Sequence, residues 1–193
     1  SSSRSFILSV SDVAARWAKA YDGGAAETAA AVAVDHAGNI IVTGTTRSGA
    51  TGDLLTVKYD QGGNMLWARL YDSGADDQAA GVAVDADGNI AVTGSTVSGA
   101  GHSFLTVLYD PAGSVLWTRT YDRGSDSIAA GVAFGPGGTV FVTGRAIGAS
   151  PAYDILTIEY DAAGTLVWNQ MYDIGGDDHA RAVAVDAAGN VAV

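Results

Sequence analysis

The chain has 193 residues, 48% of them hydrophobic and 16% charged, which is enough for one cored domain spanning 1–193. With 21 acidic against 10 basic side chains it carries a net charge of −11, a field that repels nucleic-acid backbones and anionic membrane surfaces. Cysteine is absent, which excludes disulfides and thiolate metal sites; no window approaches eighteen apolar residues and no charged-then-apolar leader opens the chain, so neither a membrane span nor a signal peptide is expected.

Residues 1–5, SSSRS, are polar, and 6–12, FILSVSD, read as a short strand that degenerately copies LLTVKYD at 54–60. Residues 14–22, AARWAKAYD, read as a second, Trp-bearing strand. Three nearly complete units follow, each with four apolar runs of five to eight residues, a strand pattern rather than a helical one. Run a (29–34, 80–84, 130–134, 180–185) alternates Ala or Gly with Val or Phe, which suits a cramped innermost strand. The turns DHAGN, DADGN and DAAGN, replaced by FGPGGT in the third copy, then predict a hairpin into run b (IIVTG, IAVTG, VFVTG). Run c (LLTVKYD, FLTVLYD, ILTIEYD) follows a longer loop, and a Gly-containing turn such as QGGN leads to run d.

The repeat can be checked on single residues. Trp17, Trp67, Trp117 and Trp168 stand 50, 50 and 51 positions apart, and each is followed four residues later by Tyr21, Tyr71, Tyr121 or Tyr172. A period near fifty marks a stacked or radial fold whose units bury their faces against one another. In run d the period of two puts Trp67, Arg69 and Tyr71 on one face, so the arginine stem is expected to lie over the rings as glue between units. Four strands per unit, from an Ala-rich inside to a Trp-bearing outside, describe an all-β protein built as a β-propeller of four-stranded antiparallel blades. The blade parts are 1–22 (c-d), 23–72, 73–122, 123–173 and 174–193 (a-b). The two halves sum to one blade, giving about four blades per chain, closed by pairing of the termini in one chain or across a homodimer that forms a larger ring.

Propeller connectivity gathers the d-a and b-c loops on one face. The d-a loops carry Glu27, Asp76, Asp77, Asp126, Asp177, Asp178 and His179, an expected acidic crown beside the b-c loops 45–53, 95–103 and 145–154. Such carboxylates either order their turns through backbone bonds or hold Ca²⁺, the one ion considered; no other cofactor is expected. Asp85 and Asp87 in DADGN resemble the opening of a calcium loop but lack its downstream Glu, which favours a plain hairpin. The histidines sit at different phases of the repeat, and no nucleophile motif or phosphate loop appears, so no catalytic residue is assigned and an enzyme is not expected.

GVAVDADGNIAVTG at 81–94 followed by LTVLYDPAGSVLWTRTYD resembles the bacterial SBBP-type β-propeller repeat, a seven-bladed propeller family, and the second half is similar to the PQQ-type repeat. The resemblance covers 14–193 and implies an extracytoplasmic, secreted or surface-exposed bacterial protein without an agreed activity. It does not carry PQQ binding, whose ligands lie outside the repeat. The expected function is a non-enzymatic scaffold presenting the b-c and d-a loops to a protein partner, with a carbohydrate-binding lectin as the alternative.

Overall fold

The structure, a computed structural model, describes residues 7–12, 14–99, 101–148 and 152–193. Each apolar run becomes a strand. β1 (Ile7–Asp12) and β2 (Ala14–Ala20) form an antiparallel ribbon. β3 (Ala26–Val34), β4 (Ile40–Arg47), β5 (Asp53–Tyr59) and β6 (Met65–Tyr71) form sheet I. β7 (Asp77–Val84), β8 (Ile90–Ser98), β9 (Gly101–Tyr109) and β10 (Val115–Tyr121) form sheet II. β11 (Ser127–Phe134), β12 (Val140–Ile147), β13 (Tyr153–Tyr160) and β14 (Leu166–Tyr172) form sheet III, and β15 (Ala184–Val185) with β16 (Val191–Ala192) ends the chain as a second ribbon. No helix among the described residues is long and apolar enough to cross a membrane.

The turns fix the registers. In the hairpin between β7 and β8, Asp85 Oδ1 accepts the Asp87 and Asn89 amides at 2.9 and 2.8 Å, and Oδ2 accepts the Asn89 side chain. The β5–β6 turn repeats this with Asp60 and Asn64. FGPGGT lacks the Asp, yet a single 3-10 turn at Pro136–Gly138 still lets the Gly135 amide reach the Thr139 carbonyl at 2.9 Å.

The core lies between sheets rather than within one. Ile41, Leu54 and Trp67 of sheet I pack with Ile90, Leu105 and Tyr109 of sheet II, and Phe104, Leu108 and Trp117 of sheet II with Val140, Leu156 and Tyr160 of sheet III. The inner strands touch in succession, β3 with β7, β7 with β11 and β11 with β15, which is why run a is confined to small side chains. The run d tryptophans link neighbours: Trp67 Nε1 donates to the Pro111 carbonyl of the next sheet at 3.2 Å, and its ring lies 6.0 Å from that of Tyr109. The expected arginine glue is present and reaches further than ring stacking. Arg69 sits 5.6 Å over Trp67 while its Nε donates to the Gly113 carbonyl at 2.6 Å, and Arg119 does the same with Trp117 and Gly164.

Three four-stranded antiparallel sheets are present, as the all-β repeat reading expects. Closure within the one chain is not seen: among the described residues the terminal ribbons form separate sheets and do not pair with each other. Run a, expected over 180–185, is also a strand only at Ala184–Val185. In the other units its earlier residues pair with the Thr-Gly of run b, as Ala79 does with Gly94, and the 193 residues hold no fourth Thr-Gly at that register.

Candidate functional site

Most of the crown acids are spent on their own loops. Glu27 is buried, and its Oε1 accepts the Gly23 and Ala25 amides at 3.0 and 3.4 Å. Asp76 ties the d-a loop to the b-c loop: it accepts the Gly52 amide at 2.6 Å and the Gln78 side chain at 2.7 Å and pairs with Arg47 at 3.1 Å, and the Gln78 bond leads in holding its carboxyl below the usual range. Asp77 is fully buried, accepting the Ser73 amide at 2.7 Å and the Ser73 hydroxyl at 2.9 Å. Asp178 accepts the Ile174 amide at 2.8 Å, and Asp177 the Tyr153 amide at 2.9 Å. These bonds engage one oxygen each of Glu27, Asp177 and Asp178 and both oxygens of Asp76 and Asp77. At Asp85 the hairpin takes both, Oδ1 on the Asp87 and Asn89 amides and Oδ2 on the Asn89 side chain, and Asp87 joins through its backbone amide.

Around Asp126 the structure assembles what the sequence reading missed. Asp126 accepts the His102 amide at 2.8 Å, lies 2.6 Å from His102 Nδ1 and accepts the Tyr153 hydroxyl at 2.6 Å. Burial pushes its carboxyl up, but the Tyr153 and His102 bonds outweigh that and leave it below the ordinary value. The same bond to Asp126 is the main reason the Tyr153 phenol titrates above its usual range. Arg145 lies 4.6 Å over the Tyr153 ring, and His179 meets that ring edge-on at 5.7 Å with Nδ1 3.4 Å from the arginine.

Arg145, His179 and Arg181 line one side of a cavity of about 340 Å³, whose floor is the alanine-rich inner strands at Ala80 and Ala130. Arg145 Nε is buried with no hydrogen-bond partner among the described residues. Two arginines facing one cavity in a chain of net charge −11 can receive a carboxylate through paired N–H donors. Of these side chains only His179 stood among the sequence candidates. Arg145 and Arg181 replace Ser95 and Ala130 of the preceding unit, so superposing the copies and looking for the odd residue, rather than the repeated one, was the signal available. The conserved-by-repeat aromatics Trp17, Tyr21, Trp117, Tyr121 and Tyr71 instead serve the packing between sheets, while Trp168 packs on Phe141 within its own sheet and Tyr172 is exposed.

Compared with known proteins, the chain matches no family model and no curated relative.

Proposed function

We propose that the chain is a non-catalytic binding module of the β-propeller kind, whose loop face docks a partner that presents an acidic group to the Arg145–His179–Arg181 cavity. The observation that carries this reading is the buried, unpartnered Nε of Arg145 beside Arg181. A buried donor without an acceptor is costly, and a ligand carboxylate would satisfy it. The bacterial, extracytoplasmic setting and the SBBP-type ancestry belong to the same proposal and rest on the repeat resemblance. A glycan reading is favoured by one feature, the Tyr153 ring held against Arg145 and His179, which suits a sugar acid better than a neutral sugar.

The test is binding of immobilised acidic peptides and of uronic-acid glycans, each against its uncharged counterpart. Retention of the acidic probes, lost in Arg145→Ala and in Arg181→Ala, is expected. Equal retention of charged and neutral probes, or binding unchanged in both variants, would overturn the cavity as the site.

A further inference from the structure

The junctions between consecutive sheets differ in one respect. At the first, Asp53 at the start of β5, Asp72 just past β6 and Asp77 at the start of β7 bring carboxylate oxygens within 4.8 Å of one another. Asp154, Asp173 and Asp178 do the same at the third. At the middle junction the counterparts are Ser103, Asp122 and Ser127. The strand-start pair thus changes together, Asp with Asp or Ser with Ser, although its members stand 24 residues apart and belong to consecutive units. Each cap is made by the later Asp alone, Asp77 on the Ser73 amide and Asp178 on the Ile174 amide, and takes no bond from Asp53 or Asp154.

A second observation shows that the triad at the third junction lacks a partner. Asp154 is only 4% exposed, and its Oδ1 is buried with no hydrogen-bond partner among the described residues. Three converging carboxylates in a sheltered junction are stable only with a positive charge among them.

We propose that each triad binds one Ca²⁺, clamping sheet I to sheet II and sheet III to the segment before β15. The donors are all hard oxygens, which excludes a preference for soft or nitrogen-seeking metals. The oxygens of each triad lie within 4.8 Å of one another, close enough for one calcium ion with bonds of about 2.4 Å to bridge them, and magnesium, which keeps several of its waters, is less suited to three carboxylates. Backbone carbonyls and water complete the six to eight ligands calcium takes. These sites are independent of the arginine-lined cavity, which is built from other residues.

The experiment is calorimetric titration of the chelator-stripped chain with CaCl₂ alone. Two sites per chain are expected. Asp72 and Asp173 are exposed, and each accepts an amide, from Gly74 or Gly175, that an asparagine oxygen can also accept, so Asp72→Asn and Asp173→Asn keep the loops intact. Each variant is expected to lose one site, by at least tenfold in affinity, and the double variant both. Terbium luminescence sensitised by Tyr71 and Tyr172 gives the same count independently. A stripped wild-type chain that takes up no calcium at millimolar concentration, or a double variant that binds like the wild type, overturns the proposal.

Discussion

At the scale of single residues, Asp35 and Lys58 show how a repeat position can be redirected. Lys58 Nζ lies 2.9 Å from Asp35 Oδ2 and donates to the Pro111 carbonyl of the next sheet at 3.2 Å, with both side chains almost wholly buried. Burial drives the Asp35 carboxyl up, but the Asn39 and Lys58 hydrogen bonds together outweigh it, so the folded carboxyl titrates below its ordinary 3.8. The turn role of Asp35 was legible in DHAGN; the lysine was not, because its counterparts Leu108 and Glu159 make the position look like an unconstrained surface site. Lys58→Met leaves a buried carboxylate without its counter-charge, and a loss of about 3 kcal/mol in urea unfolding at pH 7 is expected. A depressed carboxyl contributes stability that is present above the unfolded value and lost as pH falls through the folded one. The gap between wild type and variant should therefore shrink below about pH 3.8. A gap that stays constant from pH 7 to pH 3 would show that Asp35 and Lys58 are not energetically paired.

At the scale of the element, strand order, hairpin turns and alternation were readable from periodicity because each depends on residues close in sequence. The glycine of Val-Thr-Gly closes run b, and its place at a strand end suggests turn freedom, yet Gly44, Gly94 and Gly144 lie outside the positive-φ set. They face a bulge in the inner strand instead, where pairing slips between Ala79 and Gly81 and its counterparts. A Cβ at Gly94 would overlap the Gln78 carbonyl oxygen, backbone that cannot rotate away. That contact needs two strands to be in register before it exists, so no single stretch announces it. Gly94→Ala is expected to cost about 3 kcal/mol through forced separation of β7 from β8. Gly74→Ala, where φ is 82° but the space is open, is expected to cost only about 1 kcal/mol. Equal losses in thermal or urea unfolding would mean that backbone conformation, not the bulge contact, dictates these glycines.

At the scale of the whole molecule, the phase of the repeat was legible and its consequence was not. Counting runs gives two half-units at the ends, but whether they meet depends on the summed rotation between sheets, which no residue pattern encodes. In the structure β1–β2 and β15–β16 are not paired with each other, and each has an edge strand whose counterpart elsewhere is paired: β4 with β5, β8 with β9, β12 with β13. The outer face of sheet III is open as well. Trp67 and Trp117 are buried under the turn of the next sheet, whereas Trp168 is half-buried and Leu166, Val167 and Tyr172 beside it are exposed. Unpaired edges next to apolar surface favour association with a second chain over solvent exposure. The 193-residue chain is therefore expected to self-associate, with light scattering at tens of micromolar giving twice 19.5 kDa and a melting temperature that rises with concentration. Trp168→Ser removes the largest half-buried side chain of that face without touching the buried tryptophans, and should shift the mass toward one chain while leaving the strand content by circular dichroism unchanged. A wild-type chain that stays at 19.5 kDa with a concentration-independent melting temperature would show that the ribbons and the Trp168 face are stable without a partner chain.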